Sequence, residues 1–187
     1  LGGGLGIPYG DKEGPLIGPV EYSKIVHEVF DGFDGKLIFE PGRVIAGNAG
    51  VLVTQVIYLK KGATRDFAIV DAAMNDLTRP SLYDAFHEIV PVALNDDNET
   101  IPYDVVGPIC ETGDTFCTQR KLPRLAAGDL LAIRSAGAYG ATMASSYNTR
   151  ALIPEVMVRG KDFSIVRRRM EVDDLIDLER FPAWLSN

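Results

Sequence analysis

Apolar side chains recur at Tyr22, Ile25, Val26, Val29 and Phe30, the spacing that lines one face of an α-helix. Gly32 and Gly35 follow and predict where that helix ends. The next apolar run, Lys36-Leu37-Ile38-Phe39, has the make-up of a short buried parallel strand. Upstream, residues 1–7 read as the tail of another buried strand and the turn beyond it. Strand, glycine loop, helix and strand make half of a βαβ rhythm, and a short helix or turn is expected after Arg43.

From about Asn48 the pattern changes. Residues 51–59, 66–71, 105–109, 129–133 and 155–158 are short β-prone runs divided by Gly, Pro, Asn and Asp, which favours an all-β barrel or sandwich. Residues 79–83 are expected in a loop anchored by Pro80. Residues 172–178 close the chain as a helix, with Leu175, Ile176 and Leu178 as its buried candidates.

Composition narrows the classes. The 187 residues are 46% apolar and 24% charged, room for one domain or two small ones and not the make-up of a disordered chain. The net charge is −7 and the acidic residues are scattered, which argues against nucleic-acid binding. The longest charge-free stretch, 44–59, contains Asn48, Thr54 and Gln55 and is too short and polar to span a membrane. The first residues hold no initiator Met, basic segment or cleavage motif. A chain opening inside a glycine-rich loop reads instead as the downstream piece of a longer protein. Cys110 and Cys117 lack Cys-x-x-Cys spacing and a nearby His, which argues against a disulfide scaffold or metal site and fits a reducing cytoplasm.

Several short motifs can carry chemistry. Gly2-Gly3-Gly4-Leu5-Gly6 reads either as a loop whose N–H groups close around a phosphate or as a tight strand-exit turn. Glu40-Pro41-Gly42-Arg43 follows the second apolar run; Arg43 can clamp a phosphate or carboxylate and Glu40 can accept from a protonated ring nitrogen, or the two can be a surface pair. Cys110 beside Glu111 can shuttle a proton, or be plain core. Arg79 and Tyr83 can hold a substrate carboxylate or brace a loop. The glycines around Tyr139 would let a ligand approach its ring and hydroxyl. His27 and His87 read as structural. No Ser/His/Asp or paired-carboxylate hydrolase pattern emerges.

Taken in order, the stretches 2–9, 39–43, 75–83, 107–114 and 136–140 closely resemble the C-terminal half of the diaminopimelate decarboxylases, pyridoxal-phosphate enzymes of the alanine-racemase-like fold (fold type III). The resemblance runs from Leu1 to about Val158. It implies an α/β plus all-β protein. Residues 1–47 would be the incomplete C-terminal end of a (β/α)8 TIM barrel, and 48–187 a C-terminal β-barrel domain with a closing helix. The activity it implies is decarboxylation of meso-2,6-diaminopimelate to L-lysine and CO2, the last step of lysine biosynthesis.

Carried over position by position, Gly2, Gly3 and Gly4 match the phosphate loop of pyridoxal 5'-phosphate. Glu40 matches the carboxylate facing the pyridine nitrogen, with Pro41 and Gly42 shaping that corner. Arg43 matches a residue at the phosphate and substrate end of the pocket, and Tyr139 a contact to cofactor and substrate. Arg79, Tyr83 and Glu111 match positions that bind the distal end of the substrate, and Cys110 the proton donor. The resemblance also implies a homodimer, with Cys110 and Glu111 serving the neighbouring subunit's active site. The family's imine-forming Lys and the His stacked on the cofactor lie upstream of this chain. None of Lys12, Lys24, Lys36, Lys60, Lys61, Lys121 and Lys161 stands at the matching position, so the chain alone is expected to be inactive. Ornithine and arginine decarboxylases share the scaffold but typically carry Cys-Asp where this chain has Cys110-Glu111. Carboxynorspermidine decarboxylase, or a non-catalytic binding protein on the same scaffold, is a further alternative.

Overall fold

The computed structural model describes residues 1–10, 16–93 and 99–185; Lys12 lies outside them. Helix α1 (Pro19–Val29) forms where the apolar stripe predicts it, with proline in the first turn, where its missing N–H costs nothing. The Phe30 N–H closes it on the Val26 carbonyl at 3.0 Å, and Gly32 then takes a left-handed φ of +74°. Val26 is its one buried residue.

The run 36–39 is not a strand. The Leu1 amino group donates to the Ile38 carbonyl at 2.8 Å, and the Glu40 N–H donates to the Leu1 carbonyl at 3.2 Å. One such bridge is not a ladder, and both Leu1 and Ile38 stay exposed, so neither expected buried strand forms. The expected turn after Arg43 is the short helix α2 (Arg43–Ala46), continued by a 3-10 turn over Gly47–Ala49.

The rest is organised by β1 (Leu52–Lys61), β2 (Asp66–Val70), β3 (Ile89–Pro91), β4 (Thr100–Val106), β5 (Thr115–Pro123) and β6 (Leu130–Ile133). They make one mixed sheet in the order β3-β6-β1-β2-β4-β5, antiparallel throughout except for the parallel β2/β4 pair. Alternation buries Leu52, Thr54 and Val56 of β1, and Leu52 and Val56 join Val70, Val105, Leu131 and Ile133 in the core. The sheet nearly closes on itself. Arg120 of edge strand β5 donates to the His87 carbonyl at 3.2 Å, just ahead of the opposite edge strand β3, and its guanidinium lies 4.2 Å from the Phe86 ring centroid.

Several elements depart from expectation. Strand β4 stops at Val106, because the Asp114 carbonyl and carboxylate capture the N–H groups of Gly107 and Ile109. Residues 79–83 form a helix, α3 (Arg79–Tyr83), not a loop: Pro80 falls in the first turn, and Asp84 ends the helix at φ +51°. Strands β3 and β5, and the strand at residues 162–167, were not foreseen; β3 has three residues, and β5 is an edge strand with polar side chains at Thr118 to Lys121. A separate hairpin of β7 (Glu155–Arg159) and β8 (Asp162–Arg167) follows, and then α4 (Val172–Ile176). No described helix or strand packs broadly across α4. Contrary to expectation, Ile176 and Leu178 are therefore exposed and Leu175 is half-buried.

Candidate active site

Tyr9 lies where the first 47 residues meet the sheet. Ile7 and Tyr9, alternate residues just beyond the glycine bend, are both buried. The Arg79 guanidinium lies 4.7 Å from the Tyr9 ring centroid and that of Arg43 lies 5.9 Å from it. Arg43 also lies 5.5 Å from the centroid of Tyr139. The edge of the pairing is completed by His87, whose ring meets Tyr9 in a T-shape at 5.2 Å. Two residues predicted for the site, Arg43 and Arg79, thus meet an aromatic ring that sequence reasoning did not select, and Arg43 links it to a third, Tyr139.

Backbone packing brings Arg43 to Tyr139. A Cβ on Gly137 would lie 1.9 Å from the Ala46 carbonyl oxygen at the end of α2. The Gly137 N–H donates to Gly47 at 3.0 Å, the Ala136 N–H to Gly50 at 2.9 Å, and the Ser135 hydroxyl bonds Asn48 at 2.7 Å. Tyr139 itself has φ +60°. The glycine beside it therefore admits the protein's own main chain, whereas the sequence suggested an opening for a ligand.

The glycine bend and the Glu40-Pro41-Gly42-Arg43 corner touch. A Cβ on Gly3 would sit 2.9 Å from the Glu40 carbonyl oxygen, and Gly4 has φ +102°. Such an approach requires glycine at residue 3, and the conformation favours it at residue 4. Glu40 is exposed and Arg43 half-buried. A neighbouring cavity of about 670 Å³ is walled by Tyr22, Val26, Phe30, Phe39 and Val44, with Gly2, Gly3 and Pro41 at its border. Its apolar lining suits hydrophobic side chains rather than an anion, and it excludes Arg43, Arg79 and Tyr139.

Helix α3 buries Arg79 to 7% exposure and leaves Tyr83 in solvent. Arg79 Nη1 lies 2.9 Å from His87 Nε2, while His87 Nδ1 lies 2.9 Å from the Arg134 carbonyl. The Ser81 hydroxyl donates to the Gly113 carbonyl and so ties α3 to the turn bearing Cys110 and Glu111. Asp114 shapes that turn. One carboxylate oxygen accepts from the Ile109 N–H and the other from the Met74 N–H, each at 2.7 Å. Burial pushes the Asp114 carboxyl above its ordinary value, against the pull of those two N–H groups. Arg150 holds the Met74 loop through Asn75 at 2.9 Å and the Asp71 carbonyl at 2.6 Å.

Cys110 and Glu111 project into solvent from this turn. Glu111 accepts from the Tyr147 hydroxyl at 2.7 Å, which pushes that phenol above its usual range. The chain thus places Glu111 on Tyr147 and not beside Arg79 or Arg43. Asp114 and Tyr147 are contributors that sequence reasoning did not assign; their partners lie 40 and 36 residues away along the chain. The six described lysines are all exposed.

Known proteins share both the sequence and the fold. The family model for the C-terminal sheet domain of the pyridoxal-dependent decarboxylases matches residues 22–137. The diaminopimelate decarboxylase of Zymomonas mobilis is 49% identical over 185 residues, covering 99% of this chain and 44% of that protein. That of Pseudomonas fluorescens is 54% identical over 175 residues, covering 94% of this chain and 41% of that protein. The crystal structure of the Helicobacter pylori diaminopimelate decarboxylase complexed with L-lysine superposes with a TM-score of 0.87 at 42% identity, covering 95% of this chain and 43% of that one. The chain spans less than half the length of each. Since the matched span runs from α1 through the sheet to Gly137, the chain belongs to the pyridoxal-dependent decarboxylases and carries their C-terminal sheet domain.

Proposed function

We propose that this chain is the C-terminal part of a decarboxylase that converts meso-2,6-diaminopimelate to L-lysine and CO2 with pyridoxal 5'-phosphate. The observation that carries this reading is Arg79, a buried guanidinium that meets a ring nitrogen and an aromatic face where buried arginines ordinarily meet a carboxylate. A substrate with a second carboxylate supplies the missing charge. A simple basic amino acid does not.

The close approach of Gly3 to the Glu40 main chain supports a reading in which the glycine bend and the corner meet at one cofactor. In this reading Gly2, Gly3 and Gly4 hold the phosphate through main-chain N–H groups, with Arg43 adding charge. Glu40, held by Pro41 and Gly42, keeps the ring nitrogen protonated. When bound, the protonated ring takes up the electron pair left by departing CO2. Tyr139 borders cofactor and substrate. Arg79 and Tyr83 receive the distal carboxylate, Glu111 the distal ammonium, and Cys110 returns a proton to the α-carbon.

The exposure of Cys110 and Glu111 on a turn braced from behind by Asp114 supports their serving a second copy of the chain in a homodimer. The partition into 1–47 and 48–187 follows the same reading, the first part completing a (β/α)8 barrel and the second being the β-barrel domain. The two thiols suit the cytoplasm.

Arg79→Ala in the full-length enzyme tests this assignment. Loss of a charge-assisted contact is expected to weaken diaminopimelate binding by about 1.5–3 kcal/mol while cofactor affinity stays unchanged. Preference for ornithine over diaminopimelate, or collapse of cofactor binding with substrate recognition intact, would overturn it.

A further inference from the structure

His87 is buried to 1% exposure, and its two ring nitrogens face partners of opposite kind. The Arg134 carbonyl can only accept, so Nδ1 must carry the proton. Arg79 can only donate, so Nε2 must present its lone pair. One neutral tautomer satisfies both. A doubly protonated ring would turn an N–H against the guanidinium.

We propose that neutral His87 is the positioning residue for Arg79, setting the guanidinium where it can receive the substrate's distal carboxylate. This rests on the reading of Arg79 given above. A guanidinium has five N–H donors in a fixed plane. Engaging one with His87 and stacking the plane on Tyr9 fixes its rotation and leaves the other donors for a ligand.

The surroundings agree. His87 meets Arg79 from α3, Tyr9 from the first segment, and the carbonyl of Arg134 after β6; its own carbonyl accepts from Arg120 of β5. Burial, with the Arg79 charge beside it, holds the imidazole below its ordinary value, against the Arg134 bond. No carboxylate among these groups would draw a second proton onto the ring. A neutral acceptor also leaves the positive charge of Arg79 available to the substrate, which an aspartate in the same place would cancel.

Two substitutions separate the bonds. His87→Asn keeps a donor for the Arg134 carbonyl but falls short of Arg79. His87→Gln restores an acceptor near the position of Nε2. In the full-length enzyme, His87→Asn is expected to raise the KM for diaminopimelate about tenfold or more, the scale of one lost hydrogen bond to a charged group, with kcat little changed. In an Arg79→Ala background it should add nothing, because the group it positions is gone. His87→Gln should return KM close to wild type, and it decides the matter by itself if His87→Asn does not fold. An unchanged KM in His87→Asn, an equal rise with and without Arg79, or a KM in His87→Gln as high as in Arg79→Ala would overturn the inference. Should Arg79→Ala itself leave KM unchanged, the carboxylate reading falls, which is a different result from His87 failing while Arg79 matters.

Discussion

The sheet and the first 47 residues both carry regular apolar patterns, but only the sheet encloses a buried apolar core. In the sheet, Val70, Val105, Leu131 and Ile133 have no exposed surface. In the first segment, Val20, Ile25, Val29, Phe33, Ile38 and Ile45 all face solvent, although α1 forms where its periodicity predicts. Local sequence therefore suffices to specify a helix, while its burial depends on what lies across it. The candidate site occupies the seam between the two regions: Tyr9 and Arg43 come from the first segment, Arg79, His87 and Tyr139 from the second.

Paired substitutions in this 187-residue chain can break that contrast. Ile133→Ala removes a fully buried side chain from the sheet and is expected to cost about 2–5 kcal/mol in urea unfolding. Val29→Ala, at a position 69% exposed, is expected to change stability by about 0.5 kcal/mol or less. A comparable loss from both would mean that α1 is packed as firmly as the sheet, and the contrast would fail.

The seam can be tested directly. Gly137→Ala would drive a methyl group to 1.9 Å from the Ala46 carbonyl, a main-chain atom that cannot rotate away. Displacing it should cost about 1–3 kcal/mol, as overpacking does elsewhere. It should also part Arg43 from Tyr139. Thermal denaturation measures the first effect. The second should appear in the full-length enzyme as weaker cofactor binding than after Gly128→Ala, a substitution at a left-handed turn away from the seam. Equal cofactor affinity in the two variants would show that the Ala46–Gly137 contact does not set the site.

What could be read from the chain divides along the same line. Helix α1 and the runs that became β1, β2, β6 and β7 follow from period and punctuation, because those signals are local. The glycine bend, the Glu40-Pro41-Gly42-Arg43 corner and the Cys110-Glu111 turn were legible as motifs. Tyr9, Asp114 and Tyr147 were not, since each acts through partners distant along the chain: Tyr9 on His87, Asp114 on Met74, Tyr147 on Glu111. Helix α3 was misread because proline was taken as a loop anchor, when a first turn accepts it. Burial of Ile176 and Leu178 was inferred from apolarity alone, which says nothing about cover.

The hairpin and α4 form a third region, ordered without a core of its own, and its local order has an electrostatic signature. Arg168 grips Asp174 with two bonds of 2.7 and 2.8 Å, while Asp174 also accepts from the Glu171 N–H at 2.8 Å and so caps α4. The Arg168 guanidinium first, and the N–H second, hold the Asp174 carboxyl down to about 2. For a depressed acid the contribution to the cap is complete above the ordinary value of 3.8 and is lost as pH falls toward about 2. Carboxyl NMR titration should show that low midpoint. Arg168→Gln should move it back up toward 3.8 and fray α4, while the sheet's unfolding midpoint at neutral pH stays where it was. If the sheet is destabilised as well, the C-terminal region shares the core's cooperativity, and its exposed apolar face is no guide to how the chain is divided.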